Sequence, residues 1–258
     1  MSRRSAGAFS PPLVLVAHGT RDGSGAVVAR RLTDRVARRL GGIPVRLAFV
    51  AVRPPTVVDA LADLPGCWIG AVVVPAFLAA GYHVRHDLPG QLAAAGLADR
   101  VLLAPPLGPD PLLVTVAVDR LLRAGWRGND TTVLAAAGST DPVALADVSA
   151  AAAALGQRLG TGVRVGYLAA GAPRVAELVA ELRSARRRVA VASWLLAPGL
   201  FQRRLADSGA DIVANPLGVH AAVVETVVAR YQLAVQDFLA GSHHLVVAAG
   251  HRSAQVSW

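Results

Sequence analysis

Short apolar runs alternate along the chain with longer stretches whose apolar positions recur every three or four residues. The first run is Leu13-Val14-Leu15-Val16-Ala17. Segment 24–40 then carries Val27, Val28, Leu32, Val36 and Leu40 at helical spacing. The same reading gives strands at 45–52, 68–77 and 101–104, and helices at 56–64, 84–95 and 111–124, the last ending at Gly125. Each strand is apolar on both faces. That pattern, with a helix after each strand, predicts a parallel sheet covered on both sides.

The pattern then starts again. Strands are expected at 132–137, 163–169, 189–196 and 211–214, and helices at 142–159, 173–183, 202–208 and 219–240. Pro105-Pro106-Leu107-Gly108 and Asn215-Pro216-Leu217-Gly218 both lead into a long helix, at an offset close to that of the other paired elements. A repeat of this size is a duplicated α/β unit rather than a solenoid. The fold class expected is two tandem α/β domains, 1–127 and 128–258, joined at the polar turn Gly125–Asp130, with the active cleft between them. Ligands of open parallel sheets bind beyond the carboxyl ends of the strands, so the residues just after each strand carry the most interest.

Composition narrows the field. The chain has 258 residues, 53% of them hydrophobic and 17% charged, which excludes disorder as its main character. All 26 basic residues are Arg, against 17 acidic ones, for a formal charge of +9. The absence of Lys excludes a GxxxxGK[ST] phosphate loop and Schiff-base chemistry. The excess charge leaves an anionic partner open. A single cysteine, Cys67, excludes an internal disulfide framework and a Cys-rich zinc site, and nothing marks it as an activated nucleophile. No apolar run approaches the ~18–20 residues of a membrane span, and the N-terminal segment lacks the apolar core of a signal peptide. A soluble, cytoplasmic protein is expected.

Two loops could carry chemistry. His18 follows the first strand and precedes Gly19-Thr20-Arg21-Asp22-Gly23-Ser24-Gly25, where small residues at a helix start offer backbone N–H groups to an anion. The plainer reading is a tight turn capped by Ser24. The second loop is Gly81-Tyr82-His83-Val84-Arg85-His86-Asp87, where a helix would put His83 and His86 on one face. In parallel topology both loops lie on one sheet edge, so His18 and His83 could face each other. His220 reads as a helix start. His243, His244 and His251 read as surface residues of the tail. The run Arg186-Arg187-Arg188 reads as a solvated loop without the interleaved aromatics of a nucleic-acid platform.

Leu13 to Asp22, the segment Val72 to Pro89 and the turn Pro106-Leu107-Gly108 together resemble the sirohydrochlorin cobalto/ferrochelatases, class II chelatases related in fold to ferrochelatase. The likeness is specific over about 15–120, and beyond that only the duplicated architecture carries it. It implies an enzyme that inserts a divalent metal, Fe2+ or Co2+, into a polycarboxylated tetrapyrrole held between two lobes. The metal is then a substrate and no organic cofactor is needed. His18 and His83 become the catalytic, metal-handling pair. Thr20, Arg21, Ser24, Arg53, Tyr82 and Arg85 become candidate substrate contacts, since Arg binds carboxylates bidentately without titrating. The partner expected is sirohydrochlorin or a related anionic tetrapyrrole, with no nucleic acid and no membrane, in a monomer or homodimer.

The sequence departs from the family pattern in two places. Many members carry an acidic residue where Ala51 stands, so a carboxylate is missing or comes from Asp22 or Asp87. The second repeat has Ala137 and Phe201 where His18 and His83 would be. One site per chain is expected, with the second half as a wall that could bring Arg203 and Arg204 to substrate carboxylates. A tetrapyrrole or metal carrier without turnover is the alternative function, motivated by Ala51. A nucleic-acid-binding module would use the +9 charge but has no motif behind it.

Overall fold

The computed structural model describes residues 10–65 and 70–240. Cys67, Trp68, His243, His244 and His251 lie outside them, and so do the expectations attached to those residues. The first half runs β1 (Leu13–Ala17), α1 (Gly23–Leu40), β2 (Val45–Phe49), α2 (Val57–Ala62) and β3 (Ala71–Pro75). A π-helical turn (His83–Asp87) leads into α3 (Leu88–Ala94), followed by β4 (Val101–Leu103) and α4 (Pro111–Arg123). The second half repeats the plan: β5 (Thr131–Ala136), α5 (Pro142–Leu159), β6 (Val163–Tyr167), α6 (Val175–Ser184), β7 (Val189–Trp194), α7 (Leu200–Ala206), β8 (Ile212–Val213) and α8 (Ala221–Leu239). The strands form two parallel four-stranded sheets, β2-β1-β3-β4 and β6-β5-β7-β8. The duplicated α/β architecture expected from the sequence is therefore present.

Strand alternation decides which residues meet. On β1, Val14 and Val16 pack outward with Val57, Leu61, Leu88 and Leu92 of α2 and α3. Leu13 and Leu15 face the other way, into a core that also holds Leu134, Ala136 and Trp194 of the second sheet. Helices α1, α8, α4 and α5 fill that core between the two sheets. The closing helices are exchanged: α4 lies on β7 and α5, whereas α8 lies on β3, β4 and α1. Arg120 of α4 donates to the Leu217 carbonyl at 2.9 Å. Its counterpart Arg230 of α8 donates to the Pro106 and Leu107 carbonyls at 2.8 and 3.0 Å. The two Pro-Leu-Gly turns picked out in the sequence are thus the points at which each closing helix is tied to the opposite half.

Several expected boundaries move. The strand placed at 45–52 ends at Phe49, because residues beyond it turn back toward the β1 edge through Val50 N–H to Ala17 O and Ala51 N–H to His18 O. The helix expected at 84–95 is a π-helical turn followed by α3. The cap of α1 is Asp22, not Ser24. The Asp22 carboxylate accepts from the Ser24 N–H at 2.9 Å and the Ser24 hydroxyl at 2.6 Å. His220 does start α8, its Nδ1 accepting from the Ala222 N–H. Arg188 is not simply solvated: it pairs at 2.7 Å with Asp130, whose side chain is fully buried.

Candidate functional site

The carboxyl edges of the two sheets face each other, and both histidine loops lie there. His18 is the first residue past β1. Its carbonyl accepts from Ala51 N–H at 3.1 Å, which brings the segments after β1 and β2 into backbone contact. Gly19 makes that approach feasible. Its φ is +91°, and a Cβ there would lie 2.0 Å from the Ala51 carbonyl oxygen. The equivalent Gly138 has φ +97°, with the Ala170 carbonyl oxygen at 1.9 Å from such a Cβ. The scaffold is duplicated even where the histidine is not.

His83 opens the π-helical turn after β3. The imidazole Nε2 atoms of His18 and His83 are 3.0 Å apart, and the rings are nearly perpendicular at 84°. Each outer nitrogen faces an oxygen: His18 Nδ1 lies 2.7 Å from the Gly19 carbonyl, and His83 Nδ1 lies 2.5 Å from Asp87 Oδ2. A carbonyl and a carboxylate are acceptors, so both Nδ1 atoms carry protons. In the neutral pair both Nε2 lone pairs therefore face the gap between the rings. Two lone pairs at that distance need a shared proton or a cation between them. Phe77 flanks both rings, 6.2 Å from His18 and 6.3 Å from His83 between centroids. Among the described residues no group of three or more His, Cys, Asp or Glu is placed to hold a metal ion.

The other expected residues fall into two sets. Arg21 is exposed, and Arg53 reaches the Thr20 carbonyl at 3.5 Å while its guanidinium sits 5.4 Å from the centre of the Phe49 ring. Tyr82 is 61% exposed, its ring near those of His83 and His86. Arg53 and Tyr82 adjoin the loops that carry His18 and His83, and Arg21 is an exposed residue of the His18 loop. Thr20 and Ser24 are turned to local structure, Thr20 Oγ1 accepting from Asp22 N–H and Ser24 bonding the Asp22 carboxylate. That carboxylate takes the Ser24 N–H at the start of α1, which the sequence reading left free for an external anion.

Arg85 is engaged across the cleft, its Nη1 lying 3.0 and 2.9 Å from the carboxylate oxygens of Asp141. Arg203, expected to reach substrate, pairs instead with Asp22. Arg204 turns to the Leu168 carbonyl and the Phe201 ring. The Ser24 hydroxyl, foremost, and Arg203 hold the Asp22 carboxyl down at about 2. Asp141 is also held below the usual carboxylate range, first by the Val143 N–H and then by Arg85. His86 does not share the inter-histidine gap, because the π-helical turn sends it to Tyr82.

Sequence reasoning missed two residues that support the site. Gln91 Nε2 donates to the Val50 carbonyl at 2.9 Å, beside the Ala51–His18 contact. Asp147 on α5 accepts the Ala80 N–H at 2.7 Å, in the loop that leads to His83. Neither has a motif. Each is a single polar residue on an otherwise ordinary amphipathic helix.

This arrangement agrees with the comparisons. The CbiX family model matches residues 12–124 and again 131–234. The chain belongs to the CbiX family and carries its unit twice. A sirohydrochlorin cobaltochelatase from Methanosarcina acetivorans is 27% identical over 123 residues, a match spanning 43% of this chain and 95% of the relative. Another from Methanothermobacter thermautotrophicus is 27% identical over 131 residues, spanning 43% of this chain and 91% of that protein. Among solved structures, SirB from Bacillus subtilis with Fe3+ is similar with a TM-score of 0.78 at 21% identity, covering 90% of this chain and 98% of that one. SirB from Bacillus subtilis subspecies spizizenii in complex with cobalt gives 0.71 at 18% identity, covering 89% and 97%. These likenesses establish the fold over nearly the whole chain.

Proposed function

We propose that the protein is a sirohydrochlorin chelatase, a lyase-type enzyme that inserts Fe2+ or Co2+ into a polycarboxylated tetrapyrrole. The observation that carries this reading is the gap between His18 Nε2 and His83 Nε2, lined by two lone pairs and opening onto the interlobe cleft. Two metal–imidazole bonds of about 2.1 Å span such a gap at an angle of roughly 90°, leaving the remaining coordination positions to pyrrole nitrogens. As the metal passes to the macrocycle, two pyrrole protons must leave. The freed imidazoles accept protons at Nε2, while the Gly19 carbonyl and Asp87 carboxylate hold the Nδ1 protons in place.

In this reading Arg21 and Arg53 bind substrate carboxylates, and Tyr82 offers a ring face to the macrocycle. Thr20 and Ser24 act through the loop they stabilise. Arg85 meets substrate only by exchanging Asp141 for a substrate carboxylate. Asp87 supplies a carboxylate that the family pattern places at Ala51, but it works from the outer nitrogen of His83. The metal selected among Fe, Co and Ni follows from geometry and supply. The work is assigned to the cytoplasm, to one site per chain, in a monomer or homodimer, with no organic cofactor, nucleic acid or membrane. Among the described residues no helix is long and apolar enough to cross a membrane. The test is to incubate purified protein with sirohydrochlorin and each divalent metal and follow the absorbance change. Acceleration over the spontaneous rate supports the reading, and none with any metal overturns it. Tight tetrapyrrole binding without metallation would favour a carrier, the reading that Ala51 motivates.

A further inference from the structure

The second half lacks both histidines, yet it grips the loop that delivers His83. Asp147 of α5 accepts the Ala80 N–H at 2.7 Å, and the Trp194 indole N–H points to the Leu78 carbonyl at 3.4 Å. From its own half the Phe77 carbonyl accepts the Gly108 N–H at 3.1 Å, and within the loop the Ala79 carbonyl accepts the Gly81 N–H at 3.0 Å. Beyond Ala80 the chain turns at once: the Gly81 carbonyl accepts from Val84 and Arg85 N–H, both at 3.0 Å, and His83 leaves that turn toward His18.

The duplication supplies an internal control. Strand register aligns Leu78-Ala79-Ala80-Gly81-Tyr82-His83 with Leu196-Ala197-Pro198-Gly199-Leu200-Phe201. Counting from the N-caps Asp22 and Asp141, the position of Asp147 on α5 is that of Val28 on α1. The positions that correspond to Asp147 and Ala80 are thus Val28 and Pro198, a side chain with no acceptor and a residue with no N–H to give. A Cβ at Gly25 of α1 would lie 3.4 Å from the Pro198 carbonyl oxygen, so the two elements do approach there. Among the described residues, the carboxylate-to-amide anchor at this position is made at the loop whose tip carries a histidine and not at its counterpart.

We propose that Asp147 is a positioning residue for His83: by holding the Ala80 amide it fixes the turn that sets the His83 ring against His18. This rests on the chelatase reading of the pair, and it makes the degenerate half a part of the catalytic apparatus. A half-buried backbone amide held by a carboxylate is a strong tether. Facing ring nitrogens tolerate displacement poorly, because a shift of about 1 Å is enough to spoil a catalytic geometry.

The test compares Asp147→Ala and Asp147→Asn in the full chain. Alanine removes the acceptor at no cost in helix propensity, whereas asparagine keeps a carbonyl oxygen. With sirohydrochlorin and Co2+, Asp147→Ala should lower kcat about tenfold or more and raise the KM for Co2+, with the KM for the tetrapyrrole unchanged, and Asp147→Asn should recover most of the loss. A second readout needs no turnover: 15N NMR of the imidazoles in metal-free protein should show the His83 ring signals displaced in Asp147→Ala, restored in Asp147→Asn, and those of His220 unmoved in both. Should Asp147→Ala not fold, Asp147→Ser, with a shorter acceptor, takes its place. Wild-type kinetics and ring signals in Asp147→Ala would overturn the proposal. So would equal losses in the alanine and asparagine variants, or a loss confined to the tetrapyrrole KM. Wild-type protein that fails to metallate sirohydrochlorin would remove the functional reading alone, leaving the ring signals to decide the role of Asp147.

Discussion

Arg85 reaches Asp141 across the cleft as Arg203 reaches Asp22 in the opposite direction. Each carboxylate is also the N-cap of the helix that starts there. The two clasps occupy equivalent places in the duplicated halves, and each ties a post-β3 or post-β7 turn to the opposing lobe. Arginines that read as substrate contacts in the sequence are in this way committed to closing the cleft.

The clasps give an acid limb. The Asp22 carboxyl is depressed from 3.8 to about 2 in the fold, so its contribution is present above the unfolded value and is lost as pH falls through the folded one. Asp22→Asn should therefore flatten the pH dependence of unfolding between 3.8 and about 2, measured by urea denaturation at a series of pH values. An unchanged slope would show that the cap and clasp are not formed in solution.

Tyr231 gives the alkaline counterpart. Its hydroxyl donates to the Pro11 carbonyl at 2.8 Å, and burial pushes the phenol from 10.0 up to about 12. A raised value means stability that is present below the unfolded value and lost as pH climbs through the folded one. The difference in unfolding midpoint between wild type and Tyr231→Phe should shrink as pH rises from 10.0 to about 12.

Gly19 fixes where His18 begins. Gly19→Ala forces a left-handed residue and a Cβ onto the Ala51 carbonyl, so it should destabilise by more than about 1 kcal/mol and depress metallation. Gly90→Ala, where a Cβ meets nothing within 4 Å inside α3, should be neutral or stabilising by about 0.5–1 kcal/mol. Thermal unfolding of the two variants side by side checks the contrast.

The exchanged helices make the halves interdependent. Leu113 of α4 is fully buried in the core shared by both sheets, and Leu113→Ala should cost about 2–5 kcal/mol in a single cooperative transition seen alike by far-ultraviolet circular dichroism and tryptophan fluorescence. The segment 1–127 alone lacks α8 over β3 and β4, so it should not appear as a folded monomer in sedimentation.

Much of this was legible in the chain. Apolar runs such as 13–17 marked buried parallel strands, and the repeated Pro-Leu-Gly turns marked the duplication. The post-strand positions of His18 and His83 marked one sheet edge. Helix exchange was not legible, because apolar spacing along α4 marks a buried face without naming the sheet that covers it. The π-helical turn was hidden because its hydrogen-bond pattern leaves no mark on residue spacing. The engagement of Arg85 and the anchor at Asp147 depend on partners 56 and 67 residues away, and the capping role of Asp22 on a local competition with Ser24 and on Arg203, 181 residues away. One sequence does not encode such pairings as spacing.

The central claim is that the facing nitrogens of His18 and His83 handle the metal. His18 is exposed and His83 half-buried, so His18→Ala and His83→Ala should change folding stability by no more than about 0.5–1 kcal/mol. The decisive measurement is the rate of Co2+ insertion into sirohydrochlorin by wild type and by each variant, set against the spontaneous rate. The account predicts acceleration by wild type and a fall to the spontaneous rate in both variants, with sirohydrochlorin still bound. Wild-type rates in both variants would contradict it.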